Sequence, residues 1–153
     1  MVSRESLWVA DGAGLRFNGF MTEPKTIHHL LAIAVGGGAG AICRHLVNLG
    51  CSRWLGSHFA FGTMMVNVLG CFLLGMLMAL RTVESPRWDD LTHSALTIGF
   101  LGALTTFSTF GLETTRFFEN SQHYLGLLNI AGNMLLGLMA VFGGLQLGRM
   151  LAS

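Results

Sequence analysis

Hydroxyl side chains cluster inside an uncharged stretch of the sequence that is long enough to cross a lipid bilayer. No Asp, Glu, Lys or Arg occurs from Leu91 to Leu112, and about 20 apolar residues suffice for a transmembrane helix. The middle of this stretch, residues 99–111, reads GFLGALTTFSTFG. Hydroxyl groups and glycine-rich backbone are tolerated at membrane depth where they line a cavity or bind an ion. These residues are therefore predicted to line a cavity or to bind an ion, and they are the first candidates for a functional site.

Two backbone conformations are compatible with this hydroxyl-rich stretch. Each glycine weakens a helix by about 1 kcal/mol, and Gly99 and Gly102 directly precede the Thr/Ser cluster, which favours an interruption there. An unwound turn would leave carbonyl groups free to bind a cation. In the alternative the helix is continuous, and its hydroxyls donate to carbonyl groups four residues earlier.

Asparagines place amide groups inside two other apolar stretches. Asn67 lies within GTMMVNVLG, where an amide is costly unless its donors and acceptor find partners. It therefore either joins two helices or lines the path of a ligand. Asn129 and Asn133 are about one helical turn apart, so they share one face of their helix.

Charged and metal-ligating residue types give weaker signals. Arg44 lies toward the end of the first apolar stretch, where it either extends to the membrane interface or points into a water-filled vestibule. Glu113 and Arg116 are three residues apart and are expected to pair near the interface. The histidines of the first stretch have no partner at metal-ligand spacing. The three cysteines form no Cys-x-x-Cys pair and are interpreted as small apolar side chains.

Four uncharged windows supply the elements that must position these residues. The chain has 153 residues, of which 52% are hydrophobic and 11% are charged, whereas an ordinary soluble domain has about 25% charged residues. We predict an all-α integral membrane four-helix bundle in one domain, residues 27–150. Its spans are predicted at residues 27–49, 61–80, 91–118 and 124–147.

The N-terminal residues 1–26 differ in composition from the bundle. We predict a disordered tail or a short amphipathic helix on the membrane surface. The first twenty residues contain no apolar core of the kind found in secretory signals. Met21 lies just before the first span and offers an alternative start, in which case the residues before it are a non-native extension.

Charge and residue chemistry exclude several classes of function. The formal net charge is +1 and no basic cluster is present, so no nucleic-acid partner is expected. No nucleophile–base pair stands at catalytic spacing, so we do not expect an enzyme. A small multidrug exporter would need a membrane-buried carboxylate, and Glu113 lies near the end of its span. A small dual-topology transporter of another substrate and a non-transporting membrane assembly protein are the remaining alternatives.

Four motifs in order carry a resemblance to a known family. They read GGGAGAICRH, GTMMVNVLG, GFLGALTTFSTFG and NIAGNMLLG, one in each predicted span. Over residues 33–149 the chain resembles the Fluc (CrcB) family of fluoride-specific ion channels. The third motif is the most specific, because TTFSTF is uncommon within an apolar run. Ala103 departs from the pattern, since the family often has glycine there.

The resemblance implies a fold, a cofactor and a set of pore residues. Family members are antiparallel, dual-topology homodimers with a broken third helix, two fluoride pores and a structural Na⁺ at the dimer centre. The backbone carbonyls that bind this Na⁺ match Gly102 and Thr105. The residues that match the pore and anion-binding positions are Asn67, Phe107, Ser108, Thr109, Phe110 and Asn133. Apart from the resemblance, two phenylalanines at this spacing are more often packing residues.

The resemblance also implies where the protein acts and with what. We expect a passive, multi-pass channel of the bacterial inner (plasma) membrane that exports fluoride and so reduces its toxicity. The expected partners are a second copy of the chain, the fluoride ion and the lipid bilayer. Phenyl ring edges carry positive electrostatic potential, and amide and hydroxyl groups donate hydrogen bonds. Both could face an anion that has lost its hydration water.

Overall fold

The computed structural model describes residues 8–11, 14–17, 24–81 and 89–152 of the chain. This part contains four helical segments that are long and apolar enough to cross a membrane. We call them the first to fourth spans: Thr26–Trp54, Phe61–Arg81, Asp90–Glu119 and His123–Ala152. The predicted set of four such helices is therefore confirmed.

The first two spans are single helices, whereas the last two are assembled from several segments. The single helices are α1 (Pro24–Trp54) and α2 (Phe61–Arg81). The third span consists of α3 (Asp90–Ser94), a π-helical segment π1 (Ala95–Leu101), α4 (Gly102–Leu104) and α5 (Phe107–Glu119). The fourth span consists of α6 (His123–Ala131), a second π-helical segment π2 (Gly132–Leu136) and α7 (Gly137–Ala152). The first helix thus continues beyond the predicted residue 49.

Two short strands lie in the N-terminal segment that was predicted as a tail or an amphipathic helix. β1 (Trp8–Asp11) pairs antiparallel with β2 (Gly14–Phe17). The helical alternative is therefore wrong for these residues, and the hairpin is an exception to the all-α fold. Asp11 and Gly12 form an Asp-Gly pair, which is typical of tight hairpin connections, so a local signal for this hairpin was present in the sequence.

Residues at the start of α1 and α3 explain where these helices begin. Pro24 opens α1, and proline is favoured at the first helical position because it has no N–H to leave unbonded. Asp89 caps α3, since its Oδ1 accepts a hydrogen bond from the Thr92 backbone N–H at 3.1 Å. The hydrogen bonds with Thr92 hold the pKa of the Asp89 carboxyl below its ordinary value. An Arg81–Asp90 ion pair of 2.6 Å then joins the end of α2 to the start of α3.

Glycines allow α1 and π1 to pack backbone against backbone. A Cβ atom on Gly36 would overlap the carbonyl oxygen of Ala95, and one on Gly40 would overlap that of Phe100. Gly38, on the same helix, faces open space. Small residues are the usual means by which membrane helices approach closely. The close packing predicted from the Gly-rich motif of α1 is confirmed.

The α2 and α7 helices pack in the same way, beside a small apolar core. A Cβ on Gly75 would overlap the Val141 carbonyl oxygen, and one on Gly144 would overlap that of Phe72. The buried core consists of Val66, Leu101 and Leu104, which are at most 3% exposed. Many large apolar side chains elsewhere are exposed, which suits a lipid environment better than water.

Candidate functional site

Two residues of extended backbone separate α4 from α5 in the middle of the third span. Thr105 has ψ 153°, and Thr106 has φ −151° and ψ 116°. The helical segments resume at Phe107. The interruption was predicted for the Gly99 and Gly102 pair and the Thr/Ser cluster that follows it. The extended residues lie in that cluster, whereas both glycines lie within helical segments. Features of both predicted alternatives occur here. The backbone leaves the helix at Thr105, and Thr105 Oγ1 nevertheless donates to the Leu101 carbonyl four residues earlier at 3.0 Å.

Thr106 caps the helix that follows. Its Oγ1 accepts a hydrogen bond from the Thr109 backbone N–H at 3.2 Å, which is the usual bond of a threonine N-cap. The same oxygen lies 3.0 Å from Thr109 Oγ1 and 3.2 Å from Ser108 Oγ. The cap therefore gathers three hydroxyl groups at the start of α5. Ser108 is exposed, whereas Thr106 is buried.

Asn67 of α2 satisfies the backbone polar groups of Thr106. Its Oδ1 accepts from Thr106 N–H at 2.8 Å, and its Nδ2 donates to the Thr106 carbonyl at 3.3 Å. In a continuous helix this N–H would donate to the Gly102 carbonyl, four residues earlier. The bond to Asn67 therefore leaves the Gly102 carbonyl without that donor. In this structure Asn67 joins two elements, which is one of the two roles that the sequence left open.

A line of buried hydrogen bonds extends from Asn67 across the fourth span and back to α5. Asn67 Nδ2 donates to Asn133 Oδ1 at 2.8 Å, and Asn133 Nδ2 donates to Asn129 Oδ1 at 3.0 Å. Asn129 Nδ2 then donates to Thr114 Oγ1 at 2.9 Å, and Thr114 Oγ1 donates to the Phe110 carbonyl at 2.8 Å. Asn129 is fully buried. Such a connected polar network holds each amide in one orientation.

A cavity of about 290 Å³, which we call the central cavity, opens beside the extended residues. It is bordered by α2, both halves of the third span and the π2 segment. Six of the residues predicted for the pore or for a cation site line it: Asn67, Gly102, Thr105, Phe107, Phe110 and Asn133. Ser108 and Thr109 do not line this cavity. Their hydroxyl groups lie within hydrogen-bond distance of Thr106 Oγ1, and Thr106 does line it. Arg44, predicted as a possible vestibule residue, does not line this cavity. It also does not line the second cavity, which is described below.

The two phenylalanines of the cavity differ strongly in exposure. Their ring centroids are 5.4 Å apart, with an angle of 55° between the ring planes. Phe110 is only 7% exposed, whereas Phe107 is 75% exposed. Phe110 is therefore packed within the chain itself, whereas Phe107 borders the cavity on its open side.

A second, more polar cavity of about 350 Å³ lies further along α5. Thr109 and Glu113 line it together with His45 and Asn48 of α1. Glu113 Oε1 accepts a hydrogen bond from the fully buried Thr63 at 2.9 Å. Its Oε2 is buried and has no hydrogen-bond partner among the described residues.

These contacts change the expectation for Glu113 and add residues that the sequence did not single out. Within the described ranges Glu113 bonds to Thr63 and forms no ion pair with Arg116. Helical spacing could have identified Thr63, because it lies four residues before Asn67 and thus on the same face of α2. Thr114 likewise lies four residues after Phe110, and thus on the same face of α5.

Comparison with known proteins gives consistent matches along the membrane part of the chain. The sequence model of the family described as CrcB-like protein, Camphor Resistance (CrcB), matches residues 31–145. A protein of Dehalococcoides mccartyi named fluoride-specific ion channel FluC is 45% identical over 122 residues, which are 80% of this chain and 93% of the relative. Proteins with the same name from Maridesulfovibrio salexigens and Solibacter usitatus are 39% and 41% identical. These matches cover 83% and 78% of this chain, and 100% and 97% of the relatives.

Proposed function

Because this chain belongs to the CrcB-like (camphor resistance) family, we propose that it is a fluoride-selective channel. The observation that carries the proposal is the match to proteins named fluoride-specific ion channels over nearly their whole length. Fluoride moves passively, so that toxic intracellular fluoride leaves the cell down its gradient. The channel lies in the bacterial inner membrane as a multi-pass protein.

The functional unit of the proposal is an antiparallel homodimer of dual topology. Its support in the structure is Phe107, whose ring is 75% exposed although it lines the central cavity with the buried Phe110. A second copy placed over this open side would cover Phe107 and close the cavity from lipid. Two copies related in this way would carry two equivalent fluoride paths.

Amide and hydroxyl donors perform the anion recognition in this proposal. Fluoride must exchange its hydration water for fixed donors that do not trap it. Asn67 Nδ2 donates to the Thr106 carbonyl over a comparatively long 3.3 Å, so this N–H is the one most readily turned toward an anion. Asn133, which accepts from Asn67 at 2.8 Å, keeps the amide in place during that exchange. The edges of the Phe107 and Phe110 rings present positive potential to the same ion.

A structural Na⁺ at the dimer centre is part of the proposal. Gly102 and Thr105 fit this role, because both line the central cavity and because Asn67 binds the N–H that would otherwise bond to the Gly102 carbonyl. Carbonyl groups of unwound helices are suitable Na⁺ ligands. When bound, Na⁺ supplies a fixed positive charge between the subunits. Because Thr105 and Thr106 are extended, the Gly102 carbonyl does not receive the N–H of Thr106 that it would bind in a continuous helix.

Glu113 gives one specific reason to test a second candidate, a proton-coupled transporter. Its carboxyl group is half-buried in the third span, and one oxygen lacks a partner among the described residues. Proton-coupled membrane transport relies on such groups. A channel and a coupled transporter differ in a direct way, because only the transporter requires a proton gradient.

Liposomes containing the purified protein provide the test. We expect them to release fluoride and to retain chloride, at equal pH on both sides. Equal leakage of both ions, or release of neither, would contradict the channel. Fluoride release that occurs only with an imposed pH gradient would favour the coupled transporter. Empty liposomes and liposomes with the Phe110→Ile variant serve as controls.

A further inference from the structure

The register of the N-terminal hairpin collects apolar residue types on one of its faces. The pairing places Trp8 opposite Phe17 and Ala10 opposite Leu15. Directly opposite residues of antiparallel strands share a face, and so do residues two apart in one strand. These four positions therefore lie on the same face of the hairpin. We call it the apolar face.

Both charged residues of the two strands lie on the other face. There Val9 is paired with Arg16, and Asp11 with Gly14. A hairpin of only two strands is marginally stable at best in water and needs a surface on which its apolar face can pack. Among the described residues, the strands form no extensive contact with any of the four spans. The described spans therefore leave the apolar face without a partner.

The first span keeps the hairpin close to the bilayer. β2 ends at Phe17, and α1 begins seven residues later at Pro24. A connection of this length reaches no more than about 25 Å even when it is fully extended. The membrane-spanning part of the helix begins at Thr26, so the hairpin cannot move far from the headgroup layer. Such a tether raises the effective concentration of the apolar face at the membrane.

The residue types of the apolar face are suited to the headgroup layer. Tryptophan is enriched at membrane–water interfaces because one end of its ring system is polar and the rest is apolar. Trp8 is directly opposite a second aromatic residue, Phe17. Segments with one apolar and one charged face lie in the plane of the interface. The bilayer is therefore the partner that both the composition of this face and its tether favour.

We propose that the apolar face of the hairpin binds the headgroup–acyl boundary of the bilayer and forms a peripheral anchor beside the first span. In this arrangement the face with Asp11 and Arg16 is the one directed to water. The hairpin precedes residues 31–145, which the family model matches. The proposal therefore goes beyond the fluoride channel and does not depend on it.

Quenching of Trp8 fluorescence in the whole protein tests the proposal. The chain contains three tryptophans, so a parent protein with Trp54→Phe and Trp88→Phe reports on Trp8 alone. It is placed in phosphatidylcholine liposomes whose acyl chains are brominated near the headgroup, and in unbrominated liposomes. We expect the brominated lipid to quench the emission of Trp8. Unquenched emission would overturn the proposal, and shielding of an unquenched Trp8 from iodide in the water would identify protein as its partner.

Two lysine variants of the parent protein test which face of the hairpin binds. Leu15→Lys places a charge on the apolar face, and Val9→Lys places the same charge on the opposite face. Because a charged side chain is costly to bury in lipid, we expect Leu15→Lys to lose the quenching of Trp8 and Val9→Lys to retain it. Equal quenching in the two variants, or its loss in both, would contradict binding through the apolar face.

Thermal unfolding of the same variants distinguishes the bilayer from the bundle as the partner. The unfolding temperature of the bundle in detergent should be the same in the parent protein, Leu15→Lys and Val9→Lys. A lower temperature in Leu15→Lys alone would show that the apolar face packs against the spans, and would overturn the proposal.

Discussion

The side-chain amide of Asn67 is bonded to both backbone polar groups of Thr106, accepting from its N–H at 2.8 Å and donating to its carbonyl at 3.3 Å. The two residues are 39 positions apart in the chain. One side chain of α2 therefore supplies the acceptor that the Gly102 carbonyl would provide to the Thr106 N–H in a continuous helix. This relationship explains how extended backbone can exist in the middle of an apolar span, where unbonded polar groups are costly.

The first prediction follows from that pair of bonds. Asn67→Ala leaves the Thr106 N–H without its acceptor, whereas the Thr106 carbonyl keeps the first intrahelical bond of α5 that an N-cap residue accepts. An unsatisfied buried group costs about 1–3 kcal/mol. We expect a lower thermal unfolding temperature in detergent and a lower fluoride efflux. Asn120→Ala is the matched control, because Asn120 is exposed and its side chain bonds, within the described ranges, to the Arg116 carbonyl alone, at 2.9 Å. Equal stability of the two variants would show that Asn67 does not hold the extended residues.

The second prediction concerns the aromatic ring of Phe110. Phe110→Ile keeps an apolar side chain but removes the ring edge that would face an anion, so fluoride efflux from liposomes should fall by about tenfold or more, a barrier increase of at least about 1.4 kcal/mol. The variant should still form dimers in size-exclusion chromatography. Phe142→Ile makes the same change at a position 63% exposed and should leave efflux unchanged. Undiminished efflux from Phe110→Ile would remove this ring from the proposed pore.

The number of spans and their approximate positions in the sequence could be predicted because they depend on local sequence. Uncharged windows of sufficient length identify membrane helices directly, and the one-turn spacing of Asn129 and Asn133 places them on one face. The hydrogen bond of 3.0 Å between their side chains agrees with that spacing. The N-terminal hairpin was not predicted, because the mixed composition of that segment indicates no regular element, although the Asp-Gly pair at residues 11 and 12 is typical of a tight connection.

Local preferences indicated the region of the extended residues but not their exact positions. The glycine pair and the Thr/Ser cluster were both candidates, yet Gly99 and Gly102 are helical and only Thr105 and Thr106 are extended. The decisive bonds come from Asn67, and the pairing of residues so distant in sequence depends on how whole helices pack. Tertiary contacts therefore override a preference of about 1 kcal/mol for each glycine.

The third prediction compares two glycines of α1. A Cβ on Gly40 would overlap the Phe100 carbonyl oxygen, whereas one on Gly38 would meet open space. Gly40→Ala should lower the free energy of unfolding by about 1–3 kcal/mol through overpacking. Gly38→Ala should be neutral or stabilise the helix by up to about 1 kcal/mol. Thermal unfolding in one detergent measures both, and a similar response of the two variants would contradict the close contact of α1 with π1.

The fourth prediction concerns the bond between Thr63 and Glu113. Thr63 is fully buried and donates to Glu113 Oε1 at 2.9 Å, so Thr63→Val removes the donor at nearly constant volume. The loss of a bond to a buried carboxyl group should cost about 1–3 kcal/mol of stability. Thr115→Val is the control, since Thr115 is exposed and its hydroxyl donates to the Gly111 carbonyl, its single side-chain bond among the described residues. If Thr63→Val unfolds at the native temperature, the carboxyl group does not need this donor.

The last prediction concerns the dependence of the proposed dimer on sodium. If carbonyl groups of Gly102 and Thr105 from two copies bind Na⁺, the ion stabilises only the assembled state. At a concentration 100 times its dissociation constant, such a ligand contributes about 2.7 kcal/mol. Replacing Na⁺ by K⁺ or N-methylglucamine at constant ionic strength should therefore lower the melting temperature of the dimer and its fluoride efflux. Constant ionic strength separates site binding from charge screening. Identical melting and efflux in all three cations would argue against a sodium site at these residues, while leaving the fluoride path through Asn67 and Phe110 untouched.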